Sequence, residues 1–209
     1  AELTYDQFMQ LAQGTERVTP WEVQNDKTAY YCYTGGTTST SSGITSSKSR
    51  CAAVTFGQVA HELRAYPAVM PWVTAGDKVL QPSSVYWGAA VFGQIDLAVA
   101  FGATLVISHV SDTAGILQAC KEGGVTVLGL PPSLLALVPP VLFEKQDISL
   151  PRTIISWGEA LPKRIADTWT GLGDKSKVDG GIKFVDILIA TEYWLSFVSV
   201  GPEFDGNRV

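Results

Sequence analysis

Short runs of β-branched and aliphatic residues alternate along the chain with longer segments whose apolar residues recur every three or four positions. The short runs predict β-strands at Thr28–Thr34, Lys78–Gln81, Ala103–His109, Val125–Leu128, Arg152–Trp157 and Lys183–Ile189. The longer segments predict helices at Phe56–Val73, Gly88–Phe101, Thr113–Glu122, Ser133–Leu142 and Pro162–Leu172. This alternation is typical of an α/β fold.

Most of the predicted strands are continuously apolar rather than alternating, which is typical of strands covered on both faces. The pattern therefore predicts a doubly wound fold in which helices flank both faces of a mostly parallel sheet. Ser111–Asp112 and Ser133 stand where helix N-caps are expected, and Gly123–Gly124 where a helix ends. The polar segment Thr170–Gly181 predicts a loop before the last strand.

The run Val125–Phe143 is long enough to raise the question of a membrane span, because its 19 residues carry no charge. Two proline pairs interrupt it, Pro131–Pro132 and Pro139–Pro140. A spanning helix would be broken twice in lipid, where freed backbone groups find no water. We therefore expect no membrane span here.

Charge is sparse in this sequence. Lys and Arg number 15 against 20 Asp and Glu, giving a net charge of −5, which argues against a basic nucleic-acid-binding module. Charged residues make up 17% of the chain, against about 25% in ordinary soluble domains. This shortage predicts that part of the surface is covered by a neighbour.

The remaining composition excludes several kinds of site. Cys32, Cys51 and Cys120 share no CxxC spacing, so neither a zinc site nor a disulfide framework is indicated, and a reducing intracellular compartment is favoured. The first residues have no apolar core and do not predict a signal peptide. His61 and His109 occur without a GxSxG elbow, which argues against a Ser-His-Asp hydrolase, and no GxGxxG follows a strand.

One stretch is of low complexity: ten of the thirteen residues from Thr37 to Ser49 are Ser or Thr. A flexible linker is one interpretation. The stretch follows a predicted strand and the glycines Gly35–Gly36, however, and glycines let backbone N–H groups approach an anion while hydroxyls add further donors. A phosphate-binding loop is therefore the second interpretation.

The segment Tyr33–Thr38 resembles the YTSGTT phosphate loop of the adenylate-forming (AMP-binding) superfamily, which contains acyl-CoA synthetases, luciferases and adenylation domains of nonribosomal peptide synthetases. Further segments follow in that family's order. Ala75–Gln81 resembles its pGDrvLq motif, Ala100–Ile107 its sGatlVi motif and Gly124–Ser133 its vTvl..lPs motif. Ile154–Leu161 resembles its gGEal motif and Ala190–Glu192 the end of its YGPTE motif. The resemblance covers roughly residues 28–200.

The resemblance implies a central α/β subdomain and a chemistry in which a carboxylate attacks the α-phosphate of ATP to form an acyl-adenylate. It implies ATP and magnesium as cofactors, with Thr191 contacting phosphate and Glu192 holding the metal. Nucleotide contacts are expected from Gly158 and Glu159 and from the loop residues Thr34, Gly35, Gly36, Thr37, Thr38 and Lys48.

The loop departs from the family's GTTGxPKG pattern. Without a gap, Ser42 takes the lysine position; with an insertion, Lys48 or Arg50 takes it, and Ala53–Thr55 then runs into the helix as in the family. We favour the insertion, and with it Lys48.

In the YGPTE segment, Leu188–Ala190 replaces Tyr, Gly and Pro, so the aromatic residue that lies against adenine in the family is missing. Tyr193 or Trp194 is a possible substitute. Glu159 has two interpretations: a contact to the adenine edge, or a carboxylate at a helix start near Pro162.

The resemblance also implies an acid-binding pocket lined by Gly88, Ala89, Phe92, Gly129 and Trp157, together with Ile155. Amino-acid-activating members carry an aspartate where this chain has Gly88. An α-amino acid is therefore disfavoured, and a mostly apolar pocket suits an aryl, keto or fatty acid.

The domain organisation expected from the resemblance is a lead-in at residues 1–27, an adenylation-like subdomain at 28–200 and the start of a further subdomain at 201–209. Its partners would be the family's remaining subdomains or neighbouring subunits, and we do not expect the chain to be active alone, because the family's lid is missing. Two hypotheses stay open: part of an acid-activating ligase, or a catalytically degenerate domain that serves as a structural or interaction subunit.

Overall fold

A six-stranded sheet with helices on both faces forms the centre of the chain. The computed structural model describes residues 6–7, 10, 13, 23–33, 51–84, 87–108, 112–170, 181–188 and 198–200. The strand order in this sheet is β4-β3-β5-β6-β7-β8. The first five strands in that order are parallel, and β8 is antiparallel to β7. The predicted α/β fold with a mostly parallel sheet is confirmed.

The strands of the sheet are β3 (Lys78–Gln81), β4 (Thr104–Ile107), β5 (Val127–Gly129), β6 (Thr153–Trp157), β7 (Lys183–Leu188) and β8 (Val198–Val200). The helices are α1 (Phe56–Val69), α2 (Gly88–Ala90), α3 (Leu97–Phe101), α4 (Thr113–Gly123), α5 (Pro132–Leu137), α6 (Pro140–Lys145) and α7 (Lys163–Thr170). A π-helical segment, Val91–Asp96, joins α2 to α3.

The first predicted strand does not belong to the central sheet. Strand β1 (Thr28–Tyr33) pairs antiparallel with β2 (Cys51–Thr55) in a separate two-stranded sheet. The sequence did not predict β2, because its two alanines are weak strand formers and its residues lead straight into a helix. Placing β1 in the doubly wound sheet was therefore wrong.

Successive residues of the central strands pack on opposite faces of the sheet. Leu80, Leu128 and Ile154 pack with α4, α5, α6 and α7 in one hydrophobic cluster. Their neighbours Val79, Val127 and Ile155 belong to a second cluster, with α1, α2 and α3. Both faces of the sheet are thus covered, which explains the continuous apolar runs in the sequence.

Helix α1 begins as the sequence predicts and ends earlier. The Thr55 side chain accepts from the Gln58 N–H at 3.2 Å, and the Gln58 side chain accepts from the Thr55 N–H at 2.8 Å. This capping box satisfies two otherwise unpaired donors. The helix ends at Val69 rather than Val73. Met70 precedes Pro71, and a residue before proline is disfavoured in helical conformation.

Proline also divides the predicted helix Ser133–Leu142. It forms α5 and α6, separated at Val138, which precedes Pro139. Ser133 is not the N-cap: Pro131 holds that position and the helix begins at Pro132, because proline is favoured in the first helical turn. In the part of the chain that the structure describes, no helix is long and apolar enough to span a membrane.

The caps predicted for α4 are confirmed. The Asp112 carboxylate accepts from the Gly115 N–H at 2.8 Å at the start of the helix. At its end, Gly124 adopts φ of 60°, a left-handed conformation that glycine reaches without strain.

A buried carboxylate joins the amino ends of three parallel strands. Asp77 precedes β3, Thr126 precedes β5 and Arg152 precedes β6. The Thr126 hydroxyl donates to Asp77 Oδ1 at 2.7 Å, and Arg152 Nε donates to the same oxygen at 2.6 Å. A second Arg152 nitrogen forms an ion pair with Asp77 Oδ2, which also accepts from the Thr74 N–H at 2.8 Å.

Burial alone would raise the pKa of the Asp77 carboxyl. The hydrogen bonds from Arg152, Thr126 and the Thr74 backbone outweigh that effect, so the pKa lies below its ordinary value. The charged form of Asp77 therefore stabilises the fold.

Asp77→Asn tests this contribution. We expect it to lower the free energy of unfolding by about 2 kcal/mol at pH 7, the scale of hydrogen bonds to a charged group. Because the native state lowers the pKa of Asp77, its stabilisation is present above about pH 4 and is lost as the pH falls through the native value. Urea unfolding at pH 7 and about pH 3 measures both differences, and the difference at low pH should be smaller.

Asp167→Asn is the matched control, because Asp167 pairs with Lys163 on the exposed surface of α7 at 2.8 Å. We expect a loss of under about 0.5 kcal/mol. A loss for Asp77→Asn that is the same at both pH values would contradict the role of its charge.

Candidate functional site

The carboxyl ends of β5 and β6 bring several of the predicted site residues together. Gly129 ends β5 and pairs in register with Ile155, while Trp157 ends β6 two residues further on. Gly158 and Glu159 follow directly. Ligands of open parallel sheets bind outside the carboxyl ends of the strands, so this edge is the candidate site.

The indole ring of Trp157 lies directly over Gly129. A Cβ atom on Gly129 would meet Trp157 Cη2 at 2.5 Å and Cζ3 at 2.6 Å, and a Cβ on Gly93 would meet Cη2 at 3.2 Å. Contacts under 3.0 Å do not occur between real Cβ atoms and their neighbours. Trp157 is fully buried, so its ring occupies the space that a side chain at Gly129 would need.

The other predicted pocket residues lie close by. Ala89 and Phe92 are buried in the same hydrophobic cluster as Trp157 and Ile155. The Phe92 and Trp157 rings meet edge to face, with centroids 6.1 Å apart. Gly88 is the first residue of α2. Ala89, Phe92, Gly129, Ile155 and Trp157 thus form a closely packed group at the strand ends, whereas Gly88 is half-buried.

Sequence reasoning missed the π-helical segment and the role of Gln94 within it. Gln94 is fully buried, and its Nε2 donates to the carbonyl oxygen of Gly129 at 3.1 Å. Gln94 and Asp96 are the polar side chains of the predicted helix Gly88–Phe101, which was a signal for a buried polar contact but not for a π-helical turn. π-helical turns occur frequently at functional sites, and this one supplies both Gly93 and Gln94.

The π-helical segment is anchored to α1 by Tyr66. The Tyr66 hydroxyl forms hydrogen bonds with the Phe92 carbonyl oxygen and, at 2.6 Å, with Glu62 Oε1. Burial first, and then the neighbouring Glu62 carboxyl, hold the pKa of Tyr66 well above its ordinary value. The phenol therefore stays protonated and keeps the segment in place.

Asp96 ends the same segment and is 4% exposed. Burial raises the pKa of its carboxyl to about 6, because the charged form loses solvation there. Burial first, and then the charge of the Asp96 carboxyl, raises the pKa of Tyr30. The helix layer beside the candidate site therefore contains acidic side chains as well as apolar ones.

Gly158 leaves free space at the site, whereas the ring of Trp157 fills the space over Gly129. Its φ of 85° lies in the left-handed region, and an added Cβ would find no atom within 4 Å. Glu159 follows it and accepts a hydrogen bond from the Ser133 hydroxyl at 2.9 Å. Ser133 lies in the first turn of α5, so this bond joins the start of α5 to the segment that follows β6.

The other predicted site residues lie outside the described part of the chain. These are Thr34, Gly35, Gly36, Thr37, Thr38 and Lys48 in the loop, and Thr191 and Glu192 after β7. The alternatives Ser42, Arg50, Tyr193 and Trp194 lie outside it too. Across the described ranges, no three His, Cys, Asp or Glu side chains are grouped so that they could hold a metal ion.

Comparison with known proteins identifies relatives over most of the chain. The family model described as "AMP-binding enzyme" matches residues 2–182. The chain is 33% identical over 158 residues to delta-poly-L-ornithine synthetase of Acinetobacter baumannii, which covers 74% of the chain and 11% of that protein. It is 30% identical over 151 residues to nonribosomal peptide synthetase 32 of Fusarium pseudograminearum, covering 71% of the chain and 2% of that protein.

Solved structures of the same fold include ligand complexes. One is o-succinylbenzoate coenzyme A synthetase of Bacillus subtilis with ATP and magnesium, at a TM-score of 0.68 and 21% identity, covering 90% of this chain and 35% of that one. Another is the N-terminal subdomain of NpsA from Klebsiella oxytoca with anthranilyl-AMSN, at a TM-score of 0.68 and 19% identity, covering 92% and 46%.

The chain therefore spans about a tenth or less of these two curated relatives and under half of these two solved structures. The family match, in contrast, extends over more than half of the chain itself. The resemblance deduced from the motifs is thereby confirmed: this chain belongs to the AMP-binding enzyme family and is a domain of the adenylate-forming ligase type.

Proposed function

We propose that the chain forms the nucleotide- and acid-binding part of a ligase that activates a carboxylic acid with ATP as an acyl-adenylate. The observation that carries the proposal is the gathering of Gly129, Trp157, Gly158 and Glu159 at the carboxyl ends of adjacent parallel strands, in a chain of the AMP-binding family. In the reaction, an acid oxygen bonds to the α-phosphorus, the bond to the bridging oxygen breaks and pyrophosphate leaves.

ATP would be held from two sides. The loop Thr34, Gly35, Gly36, Thr37 and Thr38 offers backbone N–H groups and hydroxyls to phosphate oxygens, and Lys48 adds a positive charge. Gly158 offers open space after β6, where Glu159 would contact the nucleotide. The Ser133–Glu159 hydrogen bond supports this role, because it holds the carboxylate at the strand ends.

Magnesium would be held by Glu192, with Thr191 beside it contacting phosphate. A carboxylate next to a hydroxyl fits a hard cation that prefers oxygen ligands. When bound, the ion would neutralise charge that develops on the phosphate oxygens.

The acid would lie towards Gly88, Ala89, Phe92, Gly129 and Trp157. Ala89, Phe92 and Trp157 are buried and apolar, and Gly88 provides no carboxylate for an ammonium group. We therefore propose an acid without a required α-amino group.

The family's remaining subdomains, or neighbouring subunits, would complete the enzyme around residues 28–200. The outer face of the β1–β2 sheet supports this proposal. Tyr31 is 70% and Tyr33 75% exposed, and their cross-strand partners Ala53 and Cys51 are exposed as well. Adjacent exposed apolar side chains of this kind mark surfaces that another part of a protein covers.

ATP with magnesium should raise the melting temperature of the protein, because a ligand that binds only the native state stabilises it. Glu192→Gln should remove most of the magnesium-dependent part of the shift while preserving part of the shift with ATP alone. Differential scanning fluorimetry at millimolar ATP, with and without magnesium, measures both.

Glu144→Gln is the matched control, since Glu144 is exposed on α6, away from the strand ends. It should preserve the full shift. The absence of any shift at millimolar ATP would contradict nucleotide binding.

Pyrophosphate exchange tests the proposed acid. We expect exchange with acids that lack an α-amino group and little exchange with α-amino acids such as ornithine. Gly88→Asp should raise relative use of α-amino acids about tenfold by pairing with the ammonium group, while the neutral isostere Gly88→Asn should not. A wild-type protein that requires an α-amino acid would contradict this interpretation of Gly88.

A further inference from the structure

A crevice of about 190 Å³ lies between α5 and α7, away from the candidate site. Its apolar lining comes from Leu135, Ala136, Pro139, Ile165 and Trp169. Leu135, Ile165 and Trp169 belong to the hydrophobic cluster on one face of the sheet, whereas Trp157 belongs to the cluster on the other face. The crevice is therefore a separate concavity, and none of its lining residues belongs to the candidate site.

The inner wall of the crevice is apolar and firmly packed. Leu135 and Trp169 are each 1% exposed, and Ile165 is buried beside them. The Trp169 ring meets Phe143 edge to face, with centroids 5.7 Å apart. Side chains held in this way do not collapse into an adjacent space. An apolar body is the kind of ligand that such a wall binds.

The outer wall of the crevice carries a positive charge. Arg164 lines the crevice and is exposed. Its neighbour Lys163 pairs with Asp167 at 2.8 Å, whereas within the described ranges the Arg164 side chain forms no ion pair. A guanidinium group binds a carboxylate through two parallel N–H donors. Arg164 can therefore bind an anionic group at the opening of the crevice.

Thr168 adds a hydroxyl to the lining but no free donor. Its hydroxyl donates to the Arg164 carbonyl oxygen at 2.7 Å, one turn earlier in α7. The hydroxyl proton is thus already used within the helix. Recognition of an anion in the crevice depends on the Arg164 guanidinium.

The volume of the crevice limits the size of the ligand. An apolar cavity of about 150 Å³ holds one benzene ring, so a crevice of about 190 Å³ holds one ring with a small substituent. Sites for drug-sized ligands occupy about 300 to 1,000 Å³. A nucleotide is therefore too large, and a compact acid fits.

We propose that this crevice is a binding site for a compact carboxylate whose apolar part is one aromatic ring or a branched chain of similar size. The apolar part packs against Leu135, Ile165 and Trp169, and the carboxylate pairs with Arg164. This site does not depend on the proposed function, because it uses none of the residues assigned to nucleotide, metal or acid activation.

The test measures binding of 4-fluorobenzoate and of its uncharged analogue 4-fluorobenzyl alcohol to the full chain without ATP, by fluorine NMR titration. The wild type should bind 4-fluorobenzoate with the lower Kd. Arg164→Gln should raise the Kd of 4-fluorobenzoate about fivefold, because one charge-assisted contact is lost, and should leave that of the alcohol unchanged. Ala136→Phe fills the crevice and should raise both Kd values at least about tenfold.

Lys145→Gln is the matched control for charge. Lys145 is exposed on α6 and does not line the crevice, so its replacement should leave both Kd values unchanged. Arg164 and Ala136 are exposed as well. All three variants should therefore keep the wild-type melting temperature, which shows that a loss of binding is not a loss of folding.

Four outcomes would overturn the inference. The first is the absence of 4-fluorobenzoate binding at tens of millimolar, and the second is binding that Arg164→Gln and Ala136→Phe leave unchanged. The third is an equal effect of Lys145→Gln and Arg164→Gln. The fourth is self-association of the wild type, seen by size-exclusion chromatography, that Ala136→Phe abolishes, because the crevice would then be an interface between copies.

The proposed function fails by a different observation. A protein that shows the expected losses of binding and yet gives no pyrophosphate exchange with any acid supports this site and contradicts only the proposed ligase activity.

Discussion

A single buried carboxylate holds the parallel sheet together at its amino edge. Asp77 binds Arg152, Thr126 and the Thr74 backbone, so the entries to β3, β5 and β6 are joined through one charged group. A buried charge of this kind is tolerated only when its oxygens are fully occupied, which fixes the geometry of all its partners. The relative alignment of the strands, and therefore the position of everything at their far ends, depends on this arrangement.

The two edges of the sheet consequently have different roles. Charged and hydroxyl side chains secure the amino edge, whereas glycines and Trp157 occupy the carboxyl edge, where ligands of parallel sheets bind. Gly129 and Gly158 illustrate how one residue type serves two needs. The first leaves room for a ring from within the protein, and the second leaves free space. The amino edge therefore fixes the alignment of the strands, and the residues at the carboxyl edge set the shape of the site.

The sequence was sufficient for the five parallel strands of the sheet and for most helix starts, but it predicted neither β2 nor β8. Continuous β-branched runs located β3, β5 and β6, and Thr55 and Asp112 mark helix starts that the structure confirms. The sequence was insufficient where pairing between distant segments determines the secondary structure. Strand β2 exists because it pairs antiparallel with β1, and the π-helical turn has no local signature. The Trp157–Gly129 contact joins residues 28 positions apart, so motif reasoning named both residues without showing that one fills the space of the other.

That contact also couples the changes that the site could accept at positions 129 and 157. A side chain at position 129 collides with the ring as long as Trp157 is present. Replacing Trp157 first leaves a vacant volume that a larger residue at 129 could then occupy. The reverse order passes through an overpacked intermediate, which is itself destabilising. Either order therefore passes through a less stable intermediate, with a cavity in one case and overpacking in the other, so the two positions would change most easily together.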